Sequence, residues 1–190
     1  MMDGTQSDAR RPLDGFDAAV WDLDGTLVRL PVDWDRVTRD VAAVFESAGH
    51  DVPGTDLWDL LQRADGTDLA QEVETTIADH ERAEAIHAER LPYADAVGGF
   101  DAEGVCSLNC EDACRTALDV HGLTPHVDAV VGRDTVAARK PDPAPLLETI
   151  RRLGVDADDV VFVGDSPRDE EAARRADVAF RYVDDASLRR

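Results

Sequence analysis

Apolar residues in this chain come in two rhythms. Short runs rich in β-branched residues and bounded by Gly or Asp predict strands at Phe16–Leu23, Gly104–Leu108, Val127–Val131, Val160–Val163 and Ala179–Val183. Segments of helical period separate them. Glu111–His121 carries an apolar face through Ala113, Ala117, Leu118 and Val120. Asp142-Pro143 and Ser166-Pro167 each pair an N-cap residue with Pro at the first helical position, opening helices that run to Leu153, where Gly154 ends it, and to Ala176. Strand and helix alternate from about residue 104 onward, which predicts an α/β fold: a doubly wound, parallel, five-stranded sheet with helices on both faces.

The first connection departs from this alternation. About eighty residues between the first two strands contain no convincing strand pattern. Trp34–Ala48 is amphipathic, with Val37, Val41, Val44 and Phe45 on one side, Asp56–Arg63 reads as a short helix, and Asp68–Arg90 as a longer one. A crossover of this length is not ordinary. The expected organisation is a polar tail at residues 1–14, a Rossmann-like core at 15–30 and 93–190, and a small helical cap at 31–92 inserted after the first strand.

Charge changes the picture next. The chain has 190 residues and a formal net charge of -21, from 41 acidic against 20 basic residues. Thirty of the acids are Asp and nineteen of the bases are Arg. Such a surface repels phosphate backbones and anionic membranes, so neither nucleic acid nor membrane is an expected partner. The acids run the whole length rather than forming a tail, which points to a halophilic protein built for a salty cytoplasm, where screening shortens to a few ångströms. No run approaches the length of a membrane span and the N-terminus has no apolar signal core, so a soluble cytoplasmic protein is expected.

The same acidity weakens any motif made of aspartates. Chance alone supplies about five Asp-x-Asp pairs at this composition, and the chain has three. Lysine is the reverse case: Lys140 is the only one in the sequence. A compact ammonium kept where Arg has replaced every other Lys marks a task for a point charge.

In a doubly wound sheet, ligands bind beyond the carboxyl ends of the strands. Following each strand outward gives Asp22 and Asp24, then Ser107, then Lys140, then Asp165 with Asp169. Two carboxylates at the end of a buried strand are costly unless they surround a cation.

Four segments carry a resemblance: "DLDGT" at Asp22–Thr26, "VCSLN" around Ser107, "RKPDP" around Lys140 and "VGDSPRD" through Asp169. In this order, each after a strand or its loop, they resemble the motifs of the haloacid dehalogenase-like superfamily with a helical cap, in its phosphoglycolate phosphatase-like branch. That resemblance implies a magnesium-dependent phosphomonoester hydrolase acting on a small phosphorylated metabolite through an aspartyl-phosphate. It implies Asp22 as nucleophile and Asp24 as the acid that protonates the leaving alcohol and later activates water. Mg2+ would take the Asp22 carboxylate, the Asp24 backbone carbonyl and Asp165. Ser107 and Lys140 would hold phosphoryl oxygens, and Gly25 would allow the tight turn. Asp169 forms a capping box with Ser166 and is a candidate partner of Lys140 or of the metal's water. The second motif departs from many relatives in that Leu108 stands between Ser107 and Asn109.

Within the superfamily, Asp24 argues against dehalogenation, and the absence of Lys from residues 31–92 removes Schiff-base phosphonatases. A sugar-phosphate mutase stays open, as does an inactive relative serving as a protein-binding module. A signalling receiver domain would place its phosphorylated Asp after the third strand, where this chain has Val131-Gly132-Arg133-Asp134. Cys106, Cys110 and Cys114 cannot share one helical face and read as small buried side chains. His80 and His87 could share a face, with nothing nearby to complete a metal site. Trp34 and Trp58 read as core residues of the helical segment.

Overall fold

The computed structural model describes Leu13 and residues 15–183. Its main sheet has five strands, β1 (Ala18–Trp21), β4 (Ala102–Cys106), β5 (Ala129–Val131), β6 (Val160–Gly164) and β7 (Ala179–Tyr182), in the order β5-β4-β1-β6-β7. Every neighbouring pair is parallel. β1, β5 and β6 are apolar at consecutive positions because both faces of a parallel sheet are covered there. Along β1 the side chains alternate between two cores. Ala18 and Val20 join Phe162, Leu146, Ile150 and Ala173, while Ala19 and Trp21 join Val161, Val163, Cys114 and Leu118. Helices α5 (Ala144–Leu153) and α6 (Pro167–Ala176) therefore cover one face, and α4 (Glu111–Val120) covers the other. Leu23, Leu27 and Phe162 are wholly buried, and each contributes about 1.5–3 kcal/mol by leaving water. Trp21 can be buried because its indole N–H donates to Glu103 Oε2 at 2.9 Å.

Between β1 and β4 stand α1 (Trp34–Ser47), α2 (Leu57–Ala64) and α3 (Ala70–Ala85). Asp33 and Asp56 cap α1 and α2 by accepting from Arg36 N and Asp59 N. The three helices share an apolar cluster that includes Val37, Val41, Phe45, Leu60, Val73 and Ile77. α3 also packs on α4 through Ala78, Ala85, Cys110 and Ala113, whose small side chains let the two helices approach.

Three local expectations are corrected. The first connection does contain strands: β2 (Val28–Arg29) and β3 (Glu89–Arg90) pair antiparallel where the chain leaves and re-enters the core. Two-residue strands have no period to detect, and β3 takes the last residues of the expected long helix, which ends at Ala85. The helix expected from Pro143 begins at Ala144, with Asp142 Oδ1 accepting from Ala144 N at 2.8 Å. Of the expected tail, only Leu13 is described, and it is buried in the core under Trp21's face of the sheet; the rest lies outside the described residues. Among the described residues, no helix is long and apolar enough to cross a membrane.

Candidate active site

The carboxyl end of β1 is extended by one bond, Asp22 N to Val163 O at 2.8 Å. The chain then turns, with the amides of Thr26, Leu27 and Val28 all donating to Leu23 O. Buried Leu23 and Leu27 anchor the turn, so the polar residues between them face the sheet edge. Gly25 sits in the turn at φ +91, and a Cβ there would fall inside the Asp165 carboxylate. Gly25→Ala should thus strain the backbone and displace Asp165, lowering stability by about 1–3 kcal/mol. Urea unfolding would measure this, and an unchanged midpoint would contradict the close approach.

Lys140, 1% exposed, reaches the same place from the loop after β5. Its Nζ donates to Asp22 Oδ1 at 2.8 Å, Asp169 Oδ1 at 2.5 Å and Cys106 O at 2.9 Å. All three ammonium protons are taken within the protein. Asp169 Oδ2 accepts from Ser166 N and Oγ while Ser166 Oγ accepts from Asp169 N, the expected capping box. The sequence-predicted residues Asp22, Lys140 and Asp169 thus meet directly. Asp165 follows β6, and one oxygen from each of Asp22, Asp165 and Asp169 lies within 4.8 Å of the others. Asp24 turns its carboxylate toward the first foot of the inserted helices, accepting from Leu30 N at 2.9 Å.

The electrostatics are unbalanced. Four carboxylates gather here, those of Asp22, Asp24, Asp165 and Asp169, and Lys140 pairs with only two of them, Asp22 and Asp169. Burial pushes the Asp22 carboxyl up to about 7, with Lys140 opposing and Asp169 reinforcing. Burial also pushes Asp24 up to about 6, against the Leu30 N–H and with help from Asp165. Asp165 is raised by burial and then by Asp169. Burial acts to lower the Lys140 ammonium, but Asp22 and Asp169 outweigh it and hold it above its usual range.

Ser107 continues β4, its N–H donating to Val131 O at 2.9 Å. Its hydroxyl meets Asn109, whose amino group meets buried Glu81 on α3. Glu81 in turn is gripped by Arg133. Sequence reasoning missed this cluster. Its one visible signal is Glu81 itself, which interrupts the apolar row Val73, Ile77, Ala85 along α3.

These groups floor a cavity of about 310 Å³. Its opposite wall is apolar, built by Trp34, Leu57, Trp58, Leu61 and Ile77 of the inserted helices. Trp34 was expected in the helical core; it lies outside that cluster and lines the cavity, 38% exposed. Trp58 does both, packing against the helical cluster and lining the cavity, where the Arg168 guanidinium stacks on it at 4.3 Å from the ring centroid. Cys106, Cys110 and Cys114 are free and buried, and His80 is engaged by Asp40 at 2.8 Å.

Known proteins resemble this chain in sequence and fold. Residues 102–183 match the family model of the haloacid dehalogenase-like hydrolases. A phosphoglycolate phosphatase of Rhodospirillum rubrum is 35% identical over 85% of this chain and 76% of its own length. One from Mesorhizobium japonicum is 32% identical over 87% of this chain and 81% of its own. The crystal structure of CbbY from Rhodobacter sphaeroides in complex with phosphate superposes with a TM-score of 0.66, covering 92% of this chain and 88% of that one at 17% identity, a likeness of fold. The α/β core, the cavity at its strand ends and these relatives together make the chain a member of the haloacid dehalogenase-like hydrolases, a phosphatase of their phosphoglycolate phosphatase-like branch.

Proposed function

We propose that this protein is a magnesium-dependent phosphomonoesterase for a small phosphorylated metabolite, with Asp22 as its nucleophile. The observation that carries this reading is the buried Asp22–Lys140–Asp169 contact at the floor of the cavity. Lys140 holds Asp22 Oδ1, which leaves Oδ2 as the freer oxygen, its one hydrogen bond among the described residues coming from Thr26 Oγ1 at 3.4 Å. Oδ2 attacks phosphorus as the ester oxygen departs, giving an aspartyl-phosphate. Asp24 gives its proton to the departing alcohol and takes one from the water that later cleaves the acyl phosphate. Ser107 can turn its hydroxyl to the oxygens on which charge develops, while Lys140, its three protons taken by Asp22, Asp169 and Cys106 O, contributes its positive charge beside them.

The residues present suit a divalent cation. Both oxygens of Asp169 are committed to Lys140 and Ser166, whereas the Asp165 side chain accepts from no other residue among those described. The Asp22 and Asp165 carboxylates, with the Asp24 backbone carbonyl, are the ligands we assign. An all-oxygen set of this kind suits Mg2+. When bound, it offsets the repulsion between the carboxylates and the incoming phosphate dianion.

The test is a panel of phosphomonoesters in molar KCl with magnesium, headed by 2-phosphoglycolate because the relatives carry that name. Turnover of at least one ester, lost in EDTA and restored by Mg2+, is expected; no turnover across the panel would sink the reading. The acidic exterior adds a separate expectation. With a net charge of -21, self-repulsion should ease as salt screens it, so the melting temperature should climb with KCl between 0.1 and 2 M (~10 Å and under ~3 Å of screening). A flat profile would remove the halophilic assignment.

A further inference from the structure

The inserted helices reach the phosphate-holding end of the cavity through one buried chain of side chains. Glu81 lies in the apolar row of α3 and is fully buried. Its Oε1 accepts from Arg133 Nη1 at 2.6 Å and Asn109 Nδ2 at 3.2 Å; its Oε2 accepts from Arg133 Nη2 and Cys110 N, both at 2.9 Å. Because Arg133 and Cys110 N donate to it, the carboxylate acts only as an acceptor. Asn109 must therefore turn its amino group toward Glu81 and its carbonyl toward Ser107. Ser107 Oγ donates to that carbonyl at 3.1 Å and accepts from Asn109 N at 3.1 Å.

We propose that Glu81 is a positioning residue for the phosphoryl-holding hydroxyl: acting through Asn109, it fixes where Ser107 Oγ sits, and Arg133, shared with Glu74, supplies the positive charge beside it. This rests on the assignment of Ser107 made above. When a phosphoryl oxygen arrives, only the hydroxyl proton has to turn. Oγ stays on the Asn109 N–H, and the Asn109 side chain stays on Glu81. With its carbonyl facing the site, Asn109 is a support for Ser107 and a poor direct ligand for an anionic oxygen. A residue of the inserted segment thereby sets the geometry of a core group.

A merely structural cluster would tie α3 to the core without touching turnover. Glu81→Gln separates the two cases, since it keeps the shape but can donate to Asn109 and let that amide reverse. With p-nitrophenyl phosphate and magnesium, well below the melting temperature, kcat should fall about tenfold while KM stays within about twofold. Asn109→Ala should lower kcat by a similar factor, and the double variant should be no slower than either single one. Parent-like kcat in Glu81→Gln, even with a lowered melting temperature, would overturn the inference, as would losses that multiply in the double variant. Should Glu81→Gln fail to fold, parent-like kcat in Asn109→Ala overturns it instead. Asp22→Asn is run alongside: turnover by that variant means the site assignment itself has failed, whatever Glu81 does.

Discussion

Replacing Asp22 by Asn is expected to stop phosphomonoester turnover, by at least about a thousandfold, while leaving the chain folded. The two side chains have the same shape, and Asn Oδ1 can still accept from Lys140 Nζ, which also keeps Asp169 and Cys106 O. What disappears is the anionic oxygen proposed to attack phosphorus. Stability should not suffer. Burial already disfavours the Asp22 carboxylate, holding it near 7, so a neutral amide removes a desolvation cost as it removes an ion pair. Steady-state turnover and a thermal melt on the same sample decide the matter. A rate above a tenth of the parent's would dismiss Asp22 as nucleophile, and a lost melting transition would mean the change acted through folding.

Arg133→Met should have the largest effect on stability. Met replaces most of the apolar stem, yet Glu81 loses both guanidinium donors, Glu74 loses its guanidinium partner and Leu108 O loses another donor. Glu81 is 0% exposed, so its charge is left to the Asn109 amide and one backbone N–H. Breaking a buried pair in this one-sided way costs about 3–5 kcal/mol, which for a chain of this size lowers the melting temperature by about 10 °C. Arg139→Met provides the contrast. Arg139 pairs with Asp65, whose side chain is 49% exposed, and loss of such a pair costs about 1 kcal/mol or less. A fall of under about 3 °C for Arg133→Met would show that the cluster does not stabilise the fold.

The parallel sheet was legible because β1, β5 and β6 are buried on both faces and read as unbroken apolar runs. The grouping of the candidate residues at one cavity was legible for a related reason: reading the residue after each strand tip leads to Asp22, Ser107 and Asp165, and Lys140 stands out by its rarity. The β2–β3 ladder was not, since two residues carry no period. Nor was the Arg133–Glu81 pair, whose members lie 52 positions apart with no local pattern joining them. Trp34 shows a third limit. Periodicity can say that a side chain lies near an apolar face, but not whether that face meets other helices or an opening. Trp58 meets both, which no helical wheel distinguishes.

Lys140 and Arg133 have one more consequence, which concerns where mobile ions can go. Counter-ions gather only where water does, and each of these side chains is 3% exposed or less. The pairs along the outer helices, such as Arg174 with Glu171, lie open to the solvent. Concentrated brine therefore loosens the molecule's outer electrostatics far more than the contacts of these two buried side chains. A protein arranged this way can trade its coat of charge against its surroundings without retuning its chemistry.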